Sequence, residues 1–177
     1  RQARVGGTPT YKRPQCVAPI EVKDPEPCQT DLANFGDAIR EHSPSDAFMN
    51  AASPGVIALF QPDAHYGDHE AYLYALAEAM RPEYEAIADA GFVLQLDSPD
   101  LGLGRHMMFK GESDEEYERL AALHIEALNH AVRNIDRDRM RLHICWGNYE
   151  GPHTHDAPMS QVLPIAAKAK PQALLFE

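Results

Sequence analysis

The chain predicts an α/β fold built on a parallel sheet. Short apolar runs alternate with longer stretches of helical periodicity. The runs themselves are nearly continuous rather than alternating, as in strands covered on both faces. Three of them end on a residue able to do chemistry, at Asp97, Cys145 and Glu177. Functional groups at the C-terminal ends of parallel strands are what a (β/α)8 barrel provides. The expected fold is therefore part of a TIM-type barrel preceded by an irregular N-terminal arm. A whole barrel takes about 250 residues. The 177 residues here supply four strands, and the barrel is expected to continue beyond them.

Residues 1–28 carry Pro9, Pro14, Pro19, Pro25 and Pro27 among basic side chains, which predicts an arm or hairpin over the main body and no helix. The partial barrel is expected over residues 29–177. Thr30 is the expected cap of a helix to about residue 40, with Leu32, Phe35, Ala38 and Ile39 on one face. Residues 47–52 read as a short strand, Ser53-Pro-Gly55 as a turn, and 56–60 as a further apolar segment. A long helix over 68–90 places Leu76, Met80, Tyr84 and Ile87 together, with Pro82 expected to kink or interrupt it. Gly91 suits the C′ position. Residues 92–96 form the next strand. The segment with Gly102, Gly104, Arg105 and His106 reads as a loop on the functional face. Ser113-Asp-Glu-Glu116 is a capping box opening a helix that turns Leu120, Leu128, Ala131 and Ile135 inward. A strand over 140–145, a helix over 160–170 and a strand over 173–177 complete the pattern.

The formal charge of −11, from 27 acidic and 16 basic residues, argues against a nucleic-acid partner and against anionic membranes. No apolar run approaches the ~20 residues that cross a bilayer, and no signal-peptide pattern opens the sequence. Three cysteines without a CxxC pair do not form a disulfide framework, so a cytoplasmic location is expected.

His143 and Cys145 stand two apart, and on a strand i and i+2 point the same way. Imidazole, thiolate and the Glu177 carboxylate make a ligand set that suits zinc. A hydrogen-bonded histidine and a buried thiol in a core strand are the plainer alternative. Asp97 reads either as a turn or capping carboxylate or as a group that holds a substrate ammonium. His153-Thr-His155-Asp156 reads as a helix cap or a substrate-binding loop, and His65 and His69 as surface residues. There is no Walker sequence, no G-x-S-x-G elbow and no dinucleotide fingerprint.

Three segments resemble the cobalamin-independent methionine synthase family, in its catalytic C-terminal barrel: Gln95-Leu-Asp-Ser-Pro-Asp-Leu101, His143-Ile-Cys145 and Leu174-Leu-Phe-Glu177. The strings over 51–61 and 145–153 resemble the family's shorter single-barrel members. The resemblance implies zinc held by His143, Cys145 and Glu177. It implies substrate contacts at Asp97, for the amino acid's ammonium group, and at Ser53. It further implies methyl transfer to a thiol acceptor such as homocysteine from a folate-type or other donor. A fourth zinc ligand and a catalytic histidine would come from the remainder of the barrel, in the same protein or in a partner chain. Ser98 stands where the synthases have glutamate, which opens the alternative of alkyl transfer to a different thiol, and the ligand and histidine missing from the 177 residues open that of a non-catalytic, truncated metal-binding piece.

Overall fold

A computed structural model of the chain describes residues 14–147, 152–154 and 156–176. Helix α1 spans Glu26–Arg40, β1 Phe48–Ala52, α2 Pro54–Phe60 and α3 His69–Asp89. Strand β2 spans Val93–Asp97, α4 Asp100–Met107 and α5 Asp114–Ala131. A short 3-10 turn at Arg137–Arg139 leads into β3, Met140–Ile144, followed by α6, Met159–Ala166, and β4, Ala173–Phe176.

The four strands form one parallel sheet in the order β1-β2-β3-β4. Consecutive parallel strands that stay neighbours require helical crossovers of one hand, which lay the helices on one face of the sheet. Burial follows that division. Leu94, Leu96, Leu142 and Ile144 point into the helical layer and are fully buried, against Leu73, Leu76, Ile87, Ile125 and Leu128. Positions of the other parity carry Phe48, Asn50, Gln95, Asp97, Arg141, His143 and Leu175. Phe48 and Leu175 on that face are exposed. The strands are thus not covered on both faces by the described residues. The arrangement is a mixed α/β fold on a four-stranded parallel sheet, compatible with part of an α/β barrel.

Several local expectations change. The first helix opens at Glu26, with Pro25 at its N-cap and Pro27 in its first turn, where a missing N–H costs nothing. Thr30 lies inside it. Residues 54–60 are helical, and Ser53 caps them by accepting from the Val56 N–H at 3.1 Å. Helix α3 continues through Pro82 to Asp89. It closes as expected at Gly91, whose φ of +90° suits glycine. The Gly91 N–H reaches Ala88 O and the Phe92 N–H reaches Ile87 O, the two bonds of a Schellman motif. Ser113 caps α5, whereas Glu116 turns to Arg119 instead of back to the cap. Helix α6 ends at Ala166, before Lys170, whose ammonium caps carbonyls of Val132 and Arg133 after α5. Ahead of α1, Cys16 forms a parallel bridge to Asp63 beside α2.

Candidate metal and substrate site

The C-terminal ends of β1, β2 and β3 are laced together. The Ser53 N–H donates to Asp97 O at 3.0 Å, and the Ser98 N–H to His143 O at 2.8 Å. On the face away from the helices, parallel register sets Asp97 beside His143. The imidazole Nδ1 lies 2.9 Å from Asp97 Oδ1. Gln95 Nε2 donates to the same oxygen at 2.8 Å, and Asn50 Nδ2 donates to Oδ2 at 2.9 Å. Arg141 Nε in turn donates to Gln95 Oε1 at 2.8 Å, and its guanidinium stacks 3.8 Å over the Phe48 ring. An ionised carboxylate only accepts. The His143 Nδ1 that faces Asp97 therefore carries a hydrogen and donates it. A carboxylate–histidine pair is the usual support of a metal-ligating imidazole. The two Asp97 oxygens offer about four acceptor positions, and three donors occupy three of them.

Cys145 follows β3 directly and is partly buried. Its carbonyl packs against α4, where a Cβ on Gly102 would lie 3.0 Å from Cys145 O and 3.1 Å from the Trp146 ring. Glycine lets that helix approach the end of the strand. The segment expected as a loop is therefore helical, and Gly102 and Gly104 are buried in it. Trp146 Nε1 donates to Ala157 O at 2.7 Å, tying the strand end to the start of α6. Glu177 and His155 lie outside the described residues. Among the described residues no group of three His, Cys, Asp or Glu side chains is placed to hold a metal ion.

Asp156 does not cap α6, whose N-cap is Pro158 without a side-chain bond. Its carboxylate, with 5% of its surface exposed, lies between His106 Nδ1 at 2.6 Å and His153 Nδ1 at 2.5 Å. The cluster borders a cleft of about 640 Å³ between α4, α5 and α6, also lined by Arg105, Lys110 and Asp114.

Sequence reasoning missed Asp100 and His124. Both are 2% exposed, and His124 Nδ1 lies 2.7 Å from Asp100 Oδ2. Ser53 Oγ donates to Asp100 Oδ1 at 3.0 Å. The available signal was His124 at the helical spacing of Tyr117, Ala121 and Leu128, which α5 turns inward; Asp100 opens α4, which also carries Arg105 and His106, and offered none. His69 is no surface residue either: it is partly buried, and its Nε2 lies 2.9 Å from His124 Nε2. Burial first, and then the electrostatic influence of the neighbouring His124 imidazole, lower its pKa from 6.5 to about 4. The unfolded chain then takes up a proton as pH falls from 6.5 towards 4 that the folded chain refuses. Stability is full above that window and falls through it. The whole shift corresponds to about 3 kcal/mol, which partial exposure screens to roughly 1–2 kcal/mol. Urea unfolding of the wild type and of His69→Gln at pH 7 and pH 4.5 checks this. The variant is expected to lose less stability on acidification; equal losses would rule it out.

Fold and site together define an α/β protein whose polar side chains gather at the C-terminal edge of a parallel sheet. Over 163 residues, 90% of the chain, it is 26% identical to the methionine synthase of Saccharolobus solfataricus. It spans 43% of that protein's length. No family model matches. The similarity supports a distant, methionine-synthase-like relationship.

Proposed function

We propose that the chain is part of the catalytic barrel of a zinc-dependent methyltransferase that moves a methyl group to a homocysteine-like thiol. The observation that carries this reading is the Asp97–His143 contact at 2.9 Å, with Cys145 two residues further on. His143 Nε2 and the Cys145 thiolate would hold the metal, with Glu177 as third ligand. The fourth ligand would come from polypeptide outside these 177 residues, in the same protein or in a partner chain, which would also cover Phe48 and Leu175. When bound, zinc would lower the pKa of the acceptor thiol and so supply a thiolate nucleophile. Among the described residues Asp97 has one acceptor position left, which suits the ammonium group of an amino-acid acceptor. Gln95 and Asn50 hold the carboxylate still for both tasks. Ser53 serves the substrate through the backbone bond that fixes Asp97, since its hydroxyl is engaged with Val56 and Asp100.

Alkyl transfer to a different thiol is the second reading, favoured by Ser98. This residue is 1% exposed, and among the described residues its hydroxyl has no partner. The glutamate of the synthases is therefore replaced by a small buried group. Assays with homocysteine and with thiols lacking the amino group, alongside metal analysis, separate the two readings.

Asp97→Asn removes the charge that faces the ammonium while keeping the side chain's shape. The KM for an amino-acid thiol is expected to rise by about 10-fold or more, as for loss of a charge-assisted hydrogen bond. A thiol without the amino group should show a smaller change, and thermal stability should move little. A large loss of stability with unchanged acceptor affinity would return Asp97 to a purely structural role.

A further inference from the structure

Asp100 lies three residues past Asp97, in the first turn of α4. Its carboxylate is buried and doubly engaged, accepting from Ser53 Oγ at 3.0 Å and from His124 Nδ1 at 2.7 Å. Ser53 accepts in turn from the Val56 N–H at 3.1 Å and donates its own N–H to Asp97 O at 3.0 Å. His124 continues the chain to His69, on α3, at 2.9 Å. One buried carboxylate therefore joins the ends of β1 and β2 to α5, and through His124 to α3. Gly55 makes the contact possible, because a Cβ there would lie 2.1 Å from Asp100 Oδ2 and 2.5 Å from His124 Nδ1.

An apolar trio of equal volume would pack these helices at no electrostatic cost, whereas a buried carboxylate and imidazole must be fully paired to be tolerated. What the polar set adds is direction: each bond fixes one atom of the corner that carries Asp97. We propose that Asp100 and His124 are positioning residues, holding the Ser53 corner so that the Asp97 carboxylate is aimed at the acceptor. The proposal builds on the reading of Asp97 as the acceptor-binding group. Neither residue lies on the sheet face that carries Asp97 and His143, so both act through Ser53.

The test uses the intact protein with Asp100→Asn, His124→Gln and His124→Leu. Two quantities are followed: steady-state kinetics with an amino-acid thiol and with a thiol lacking the amino group, and amide hydrogen exchange at Ser53 and Val56. Asp100→Asn is expected to raise the KM for the amino-acid thiol by about 10-fold, with a much smaller change in kcat, since misplacement by about 1 Å is enough for that. His124→Gln, which keeps a donor for Asp100, should be milder than His124→Leu. Exchange at Ser53 and Val56 should quicken in step. Unchanged exchange in folded Asp100→Asn or His124→Leu overturns the proposal whatever the kinetics show. So does an unchanged KM in these variants when Asp97→Asn itself raises it. If Asp97→Asn leaves KM unchanged, the acceptor reading fails on its own, and exchange then decides whether the corner is held as described.

Discussion

If His143 and Cys145 hold zinc as proposed, replacing Cys145 by serine is expected to remove most of that metal from the intact protein. The thiolate is the strongest proposed donor of the set, and a neutral serine hydroxyl replaces it poorly. Loss of a mere supporting partner weakens metal binding by about 10–100-fold. Loss of a ligand should therefore cost about 100-fold or more in affinity. Serine is nearly isosteric, and Cys145 is only partly buried, so the fold without metal should be close to unchanged. Metal analysis after dialysis against a weak chelator is the measurement. Unaltered zinc stoichiometry, or no zinc in the wild type, would show that His143 and Cys145 are a hydrogen-bonded histidine and an ordinary thiol. Methyl transfer should fall with the metal and should not return when zinc is restored at stoichiometric concentration.

Gly55→Ala should destabilise the fold by about 2–4 kcal/mol, through overpacking and a broken buried hydrogen bond. Helix propensity argues the other way, since alanine in place of glycine inside a helix gains about 1 kcal/mol. Packing decides the sign. The new methyl would lie 2.1 Å from Asp100 Oδ2 and 2.5 Å from His124 Nδ1. Neither atom can retreat cheaply, because the carboxylate is held by Ser53 and the ring by His69. Moving either leaves a buried polar group unpaired. Urea denaturation checks the value, and the same substitution in an Asp100→Ser background should cost much less. A stabilised Gly55→Ala would mean that helix propensity dominates here and that the polar cluster yields easily.

The strand–helix alternation, the capping role of Ser113 and the end of α3 at Gly91 were legible in the sequence. Each follows from a rule acting over a few residues: a period, a cap or a left-handed φ. Helix α4 was not legible, because Gly102 and Gly104 disfavour a helix locally; the helix forms where glycine lets it press against Cys145 and Trp146. The start of α1 was hidden for the opposite reason, since prolines that forbid a helix interior are harmless in its first turn. By itself the sequence determined that Asp97, His143 and Cys145 stand at strand ends. Only the tertiary structure decided that Asp97 binds His143, that Ser53 turns inward to Asp100, and that His124 links Asp100 to His69. The physical reason is separation along the chain. These partners are 46, 47, 24 and 55 residues apart, so each pairing is set by sheet register and helix packing, which no local pattern of side chains encodes.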